Sequence, residues 1–264
     1  MNAIYSQLDG ISYSKKGNSE KKIVFLHGYL ESKEIWTEFA NFFSNEFTVL
    51  CIDLPGHGTT KAFSNNHSMQ FMASIVKKIT DFEQFEQFAL IGHSMGGYVS
   101  LQFAEDFPKK IKSLVLFHSH IFADNDEKKQ NRNKEIKLVT DGLFSQIVSI
   151  NIPNMYANFN LQKFAEKIEF SKQIAQKTPE TGVIAALNGM KNREDKTEFV
   201  KHSKFPFLFI QGKFDNLIPF HENDIQYTLN KNIELTVLES GHMGMFEDKE
   251  NALISLNTFL HKPF

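Results

Sequence analysis

Gly92-His93-Ser94-Met95-Gly96, followed by Gly97, forms a G-x-S-x-G motif between an apolar run and a stretch with helical spacing, the setting in which so short a motif speaks of chemistry. A serine on so tight a strand-to-helix bend has a strained backbone. Side chains two positions to either side would clash there, hence the glycines. The bend lifts Ser94 Oγ above the sheet and leaves the Met95 N–H unpaired in the first helical turn, near the positive end of the helix dipole. A serine hydroxyl is a weak nucleophile at neutral pH, so the motif calls for a base, and the base for an acid that orients it. Both follow later apolar runs: Asp215 in Gly212-Lys213-Phe214-Asp215-Asn216 and His242 in Ser240-Gly241-His242-Met243. The order Ser, Asp, His is that of triads built on the strand ends of one parallel sheet. In this reading His242 is general base and then general acid, while Asp215 fixes its tautomer and stabilises the imidazolium. Asp124, beyond another strand end, is the alternative acid, with Asp224 and Glu222 as further candidates. The tetrahedral intermediate needs two donors. Met95 N–H is one, and the Tyr29 N–H in His27-Gly28-Tyr29-Leu30 is the other; losing one such donor typically costs about 10²–10³ in rate. His27 itself is expected to brace the loop.

The elements that must hold these residues can be read from the apolar pattern. Ile23–Leu26, Thr48–Ile52, Phe88–Ile91, Ile111–Phe117, Phe207–Ile210 and Glu234–Leu238 are short runs, mostly without alternation, as expected of strands covered on both faces. Ile4–Leu8 and Ile11–Tyr13 flank Asp9-Gly10, a hairpin signal. Helical spacing marks Trp36, Phe39, Ala40 and Phe43, the stretch after Ser68 (an N-cap), Tyr98 to Phe107, Glu222 to Leu229, and Glu250 to Leu260. Strands alternating with helices imply an α/β fold with a mostly parallel sheet. Between about His120 and His202 the spacing is helical throughout. A segment of that length exceeds an ordinary crossover, so residues 121–200 are expected to form a helical cap inserted into a core of residues 1–120 and 201–264, all within one structural domain.

Composition narrows the function. The chain has 264 residues, 41% hydrophobic and 23% charged, with a formal net charge of −2. Such a chain buries roughly three quarters of its unfolded surface and needs no disulfide or structural metal. The balanced charge gives no reason to expect nucleic acid or an anionic membrane as partner. No apolar leader is visible in Met1–Tyr13 and no run is long enough to span a bilayer. The one cysteine, Cys51, sits in a strand-like run and fits a reducing, cytoplasmic setting. Only Arg132 and Arg193 among 29 basic residues are arginine. The guanidinium fork is the usual clamp for carboxylates and phosphates, so a substrate with several anionic groups is not expected.

Other residues carry secondary expectations. His118 and His120, at i and i+2, would share a face and could share a metal; the favoured reading is that they line the pocket beside the cap, with no metal and no cofactor. Phe144, Phe159, Phe164 and Phe170 supply the cap's core, and some of them an acyl pocket. Asp126-Glu127-Lys128-Lys129 forms a solvated helix face. Met243, Met245 and Phe246 pack the loop that carries His242.

His27-Gly28-Tyr29, Asp53-Leu54-Pro55-Gly56-His57-Gly58, Gly92–Gly97, Asp215 and Gly241-His242 together resemble the α/β-hydrolase fold superfamily over nearly the whole chain. The resemblance is to its serine-nucleophile branch of small carboxylesterases, enol-lactone hydrolases and cofactor-free haloperoxidase-like proteins. Ser94 stands where haloalkane dehalogenases and epoxide hydrolases carry aspartate. Ala186-Leu187-Asn188-Gly189-Met190 with Arg193 and Asp195 is similar to a cap segment of that branch. The lyase of menaquinone biosynthesis is also similar, but it carries an arginine directly after Ser-Met-Gly-Gly, where this chain has Tyr98. The resemblance implies hydrolysis of a carboxylic ester, or similar acyl bond, in a small to medium, largely apolar small molecule. A thioester, lactone or C–C bond, lyase chemistry, or a slow-turnover ligand receptor are the alternatives. Oligomeric state is left open.

Overall fold

The computed structural model describes residues 4–262, apart from the side chains of residues 4, 5, 222 and 223; the start of the expected leader-free segment and the Glu222 side chain fall outside the described residues. Eight strands form one sheet: β1 (Ile4–Leu8), β2 (Ile11–Lys16), β3 (Lys22–Leu26), β4 (Thr48–Ile52), β5 (Phe88–His93), β6 (Ile111–Phe117), β7 (Phe207–Gly212) and β8 (Ile233–Leu238). Their order is β1-β2-β4-β3-β5-β6-β7-β8. Only β2 runs against its neighbours; from β4 to β8 every pairing is parallel. β4, β5 and β7 are buried along their whole length, which is why their sequences read as unbroken apolar runs. At the edge, β8 alternates and leaves Leu235 and Val237 partly in solvent. Asp9 and Gly10 both adopt positive φ, 51° and 82°, as the two-residue hairpin turn requires. Cys51 is buried in β4 and burial pushes its thiol up to about 12, so it is no nucleophile.

Helices α1 (Thr37–Phe43), α2 (Met69–Phe82) and α3 (Met95–Asp106) follow β3, β4 and β5. The Ser68 side chain caps α2 by accepting from Phe71 N–H at 3.1 Å. α3 packs on β3, β5 and β6. Beyond β8, α9 (Gly244–Glu247) and α10 (Lys249–Leu260) complete the chain, with Ala252, Leu256 and Phe259 of α10 buried. Between β6 and β7 lie α4 (Asp126–Thr140), α5 (Phe144–Asn154), α6 (Ala165–Gln176), α7 (Glu180–Lys191) and α8 (Thr197–His202). Among the described residues, two backbone hydrogen bonds tie this segment to the rest of the chain. Ala185 O of α7 accepts from His67 N–H at 3.0 Å, and Met155 O after α5 accepts from His242 N–H at 2.7 Å. α4 is the exception in composition: its sequence is polar and only Val139 is buried.

The chain goes from β3 outward to β4 and then returns past β3 to β5. The strand order reverses at that point, and the crevice beyond the carboxyl ends of β3 and β5 is where an open α/β sheet offers a binding site. Gly28 and Ser94 sit directly past those two ends.

Candidate active site

Ser94 has φ 50° and ψ −116°, a conformation that costs a non-glycine residue about 1–3 kcal/mol unless its surroundings enforce it. They do. Ser94 N–H donates to Phe117 O at 3.0 Å, and its carbonyl accepts from Gly97 N–H and Ser119 Oγ, each at 2.9 Å. A Cβ on Gly92 would lie 2.3 Å from Gly96 O, and one on Gly96 would lie 2.6 Å from His27 O. The glycines of the motif are therefore demanded by close backbone approach on both sides of the bend.

Asp215 and His242 come together beside it. His242 Nδ1 donates to Asp215 Oδ2 at 2.7 Å, with both side chains buried. The other carboxylate oxygen of Asp215 accepts from Leu217 N–H at 2.8 Å and Ile218 N–H at 2.9 Å. Burial alone would raise the Asp215 pKa; His242 and His118 overcome it and hold the carboxyl well below the usual range. Burial likewise opposes a charge on His242, but Asp215 outweighs it and raises the imidazole above its ordinary value. His242 Nε2 is buried and has no hydrogen-bond partner among the described residues. Ser94 and His242 line one cavity of about 450 Å³.

Tyr29 also lines that cavity. No backbone hydrogen bond occupies the Tyr29 or Met95 N–H among the described residues. His27 does brace its loop: Nδ1 meets Gly28 O at 2.7 Å, and Nε2 accepts from Leu54 N–H at 2.9 Å. Asp53 of the Asp-Leu-Pro-Gly-His-Gly loop is structural too, accepting from Lys33 N–H at 2.8 Å and Lys33 Nζ at 2.6 Å.

Three expectations are corrected. Asp124 does not approach the imidazole as an acid partner; it is buried in ion pairs with Arg193, at 2.7 Å, and with Arg132. His118 and His120 part company. The strand ends at Phe117 and His118 adopts φ 46°, which breaks the two-residue alternation. His118 Nδ1 lies 3.4 Å from Asp215 Oδ2, whereas His120 Nε2 meets Tyr98 Oη at 3.1 Å. Of the two, only His120 is on the cavity wall. Donor atoms that could hold a metal ion gather instead at His118, Asp215 and His242, within 4.8 Å of one another; admitting an ion there would mean opening the Asp215–His242 hydrogen bond.

The third correction concerns the pocket. Phe144, Phe159, Phe164 and Phe170 are all absent from its wall. Phe159 is 61% exposed, and Phe170 packs edge-on against Phe246, their centroids 6.2 Å apart. The lining of the cavity is mixed: Leu30, Met155, Leu217 and Ile218 are apolar, and α4 contributes the polar Lys128, Asn131, Arg132 and Glu135. Lys128, expected on a solvated face, turns inward. Tyr29 Oη donates to Glu135 Oε1 at 3.0 Å, and Asn151 Nδ2 donates to the same oxygen at 3.2 Å. Burial raises the Glu135 pKa. Arg193 stacks over the Tyr98 ring at 4.0 Å. Arg132 lines the cavity, and Arg193 stands behind it, against Tyr98, His120 and Asp124 of the wall; their scarcity in the sequence was the available signal. Glu31, a lone acid in the apolar loop after His27, was the signal for a second buried carboxylate near the site: its Oε2 lies 2.8 Å from His93 Nδ1.

Comparison with known proteins agrees with this architecture. A putative 2-succinyl-6-hydroxy-2,4-cyclohexadiene-1-carboxylate synthase from Bacillus subtilis is 26% identical over 248 residues, covering 89% of each chain. A pimeloyl-[acyl-carrier protein] methyl ester esterase from Wigglesworthia glossinidia brevipalpis is 26% identical over 231 residues, 82% of this chain and 85% of that one. Other curated relatives match only in part, this chain spanning about a third of their length. Among solved structures, a thermophilic esterase from Thermogutta terrifontis shares the fold with a TM-score of 0.91 at 23% identity, over 99% of this chain and 100% of that one. The model of the alpha/beta hydrolase fold family matches residues 21–249. With the sheet order, the bend at Ser94 and that match in agreement, the chain belongs to the α/β-hydrolase fold family.

Proposed function

We propose that the protein hydrolyses a carboxylic ester through an acyl-enzyme on Ser94. The observation that carries this reading is the buried 2.7 Å hydrogen bond from His242 to Asp215, made by an imidazole whose second nitrogen is unpaired and which shares a cavity with a serine on a forced bend. His242 Nε2 takes the Ser94 proton as Oγ attacks the ester carbonyl. The Tyr29 and Met95 N–H groups hold the resulting oxyanion. His242 then protonates the departing alkoxide, and the alcohol leaves. Water, deprotonated by the same imidazole, attacks the acyl-enzyme and releases the acid, restoring the Ser94 hydroxyl. Asp215 keeps the proton on Nδ1 and stabilises the imidazolium in both halves. The helical segment of residues 121–200 serves as the cap over the substrate. The mixed wall favours a small to medium ester with an apolar part, against Leu30, Met155 and Ile218, and a polar part, against α4. No metal or organic cofactor enters this reaction.

A second reading keeps Ser94 and changes the bond. The polar wall, together with the similarity to a putative synthase over most of the chain, favours a C–C or lyase reaction on a polar substrate as that alternative. Incubation with an activated alkyl phosphonate followed by peptide mass mapping tests the nucleophile, and aryl esters of graded acyl length test the bond. Labelling at Ser94 with ester turnover supports the proposal. Labelling without turnover favours the second reading or a slow ligand receptor, and failure to label Ser94 overturns both readings.

A further inference from the structure

Beneath the cavity lies a second carboxylate–imidazole couple that the proposed reaction does not use. His93 and Glu31 are both buried, their side chains 0% and 3% exposed, and His93 Nδ1 lies 2.8 Å from Glu31 Oε2. The other ring nitrogen, Nε2, lies 2.9 Å from the backbone carbonyl of His242. Glu31 Oε2 also accepts from Gly28 N–H at 2.5 Å. A carbonyl oxygen can only accept, and so can an ionised carboxylate. An imidazole that serves an acceptor at each nitrogen donates twice, and is then the cation.

We propose that Glu31 and His93 form a buried ion pair that positions the nucleophile, the base and an oxyanion donor relative to one another. The proposal rests on the ester-hydrolase reading for what those three groups do, but not for the geometry of the pair. Each contact lands beside one of the three. His93 immediately precedes Ser94, Gly28 immediately precedes Tyr29, and the His242 carbonyl belongs to the base itself. The three groups come from loops after β3, β5 and β8, and this chain of hydrogen bonds runs through all of them. The space is shaped for it. A Cβ on Gly28 would lie 2.8 Å from Glu31 Oε2, 3.0 Å from His93 Nδ1 and 3.1 Å from Ser94 Cβ. The groups facing His93 are Glu31, His242 at 4.8 Å between ring centroids, His118 at 6.0 Å, and the uncharged rings of Trp36 and Phe117. Glu31 has His27 nearby as well. A charged His93 close to His242 would by itself resist formation of the catalytic imidazolium, and Glu31 offsets that charge locally. Replacing a positioning group of this kind costs up to about 10²-fold in rate through misplacement of the reacting atoms.

The test has two arms. Ring ¹⁵N spectra of the wild-type protein at neutral pH, with His93 assigned by loss of its signals in His93→Gln, should show both His93 nitrogens protonated. This arm needs no substrate and stands even if the ester reading fails. In the second arm, the rate of Ser94 phosphonylation and the kcat for an aryl ester are measured for Glu31→Gln, His93→Gln and the double variant. Each single variant should lose about 10–10²-fold in both rates with KM changed less than about threefold, and the double variant should lose no more than the worse single one, as residues acting as a unit do. A neutral His93, or losses that multiply in the double variant, overturns the proposal. If the variants fail to fold, sequential resonance assignment of the wild-type protein identifies the His93 ring, and its spectra still decide the proposal.

Discussion

Asp215 and Asp124 are both buried aspartates beyond the ends of neighbouring strands, β7 and β6, and differ in the company they keep. Asp215 faces two imidazoles, His242 at 2.7 Å and His118 at 3.4 Å. Asp124 faces two guanidiniums, those of Arg132 and Arg193. Burial alone would raise both carboxyls, and in both the cationic or polar partners win and hold them below the ordinary value. The consequence differs with the partner. An imidazole gains and loses its proton near neutral pH, so the carboxylate beside it is placed to support the proposed proton transfer. A guanidinium keeps its proton throughout, so Asp124 is fixed in a permanently charged cluster and shapes the wall of the cavity. Position at a strand end selects where a functional aspartate can stand; the neighbouring base decides what it does there.

The largest effect that bears on this contrast is at Ser94, the proposed nucleophile. Ser94→Ala should lower kcat on the order of 10⁶-fold, as removal of a triad serine does, and should abolish phosphonate labelling while thermal unfolding stays within a few degrees. A variant that keeps more than a percent of the wild-type rate would remove the reason to distinguish the two aspartates. Next comes Asp215→Asn, with a kcat loss of about 10⁴-fold because the imidazole loses its correct tautomer. Asp124→Ala should show the reverse balance. It leaves two guanidiniums uncompensated, which costs about 3–5 kcal/mol of stability in urea titration, while kcat changes less than about tenfold. Equal kcat losses in the two variants would erase the distinction between proton-transfer acid and wall.

Proton linkage sharpens the comparison further. In the proposed reaction His242 must be neutral to accept the Ser94 proton, and its pKa is raised above the ordinary 6.5 because the Asp215 charge outweighs burial. Activity at kcat/KM is therefore lost as pH falls through a value above 6.5. Removing the Asp215 charge stabilises the imidazolium less, so the residual activity of Asp215→Asn should have its acid limb displaced toward lower pH. Asp124→Asn, whose carboxylate pairs with Arg132 and Arg193 and not with the imidazole, should leave that limb where it is. His118 contributes no limb in this range, since burial lowers it to about 4. An acid limb that shifts equally in both variants would show that the two aspartates are coupled to the same imidazole.

The same contrast explains how much of the molecule was legible in the sequence. β3 to β7 were legible because strands covered on both faces must be apolar without interruption, and β5 with its bend because steric crowding leaves only glycine at Gly92 and Gly96. Asp215 follows such a strand, β7, and His242 follows the alternating edge strand β8, so their placement came with the sheet. The Asp124–Arg132–Arg193 cluster and the Glu31–His93 pair carry no comparable local pattern. Their partners are far apart in sequence, and the physical requirement that joins them, compensation of buried charge, leaves no period. His118 was misread for a related reason: the alternation rule assumes extended backbone, and φ 46° at that residue turns its ring to Asp215. The cap phenylalanines were misread because apolar character alone does not say which side of a helix meets the cavity. α4, which brings Lys128, Asn131, Arg132 and Glu135 to the wall, buries only Val139 and presents no apolar stripe to orient it by.

The smallest expected effect tests that last point. Phe159 is 61% exposed, lies outside the cavity, and its recorded aromatic contact is the Phe214 ring at 4.9 Å. Phe159→Ala removes surface already in water and leaves no buried void, so stability should change by less than about 0.5 kcal/mol. KM for aryl esters of any acyl length should stay within twofold of wild type, by the order of that same surface-substitution range. Met155→Ala gives the matching positive control, since the Met155 side chain is one of the apolar groups lining the cavity and its carbonyl holds the His242 N–H. Truncation there keeps the backbone contact and enlarges the chamber, so the preference among acyl lengths should move toward longer chains. A length-dependent rise of KM in Phe159→Ala, with none in Met155→Ala, would return the acyl pocket to the cap phenylalanines and leave the α4 wall without its role.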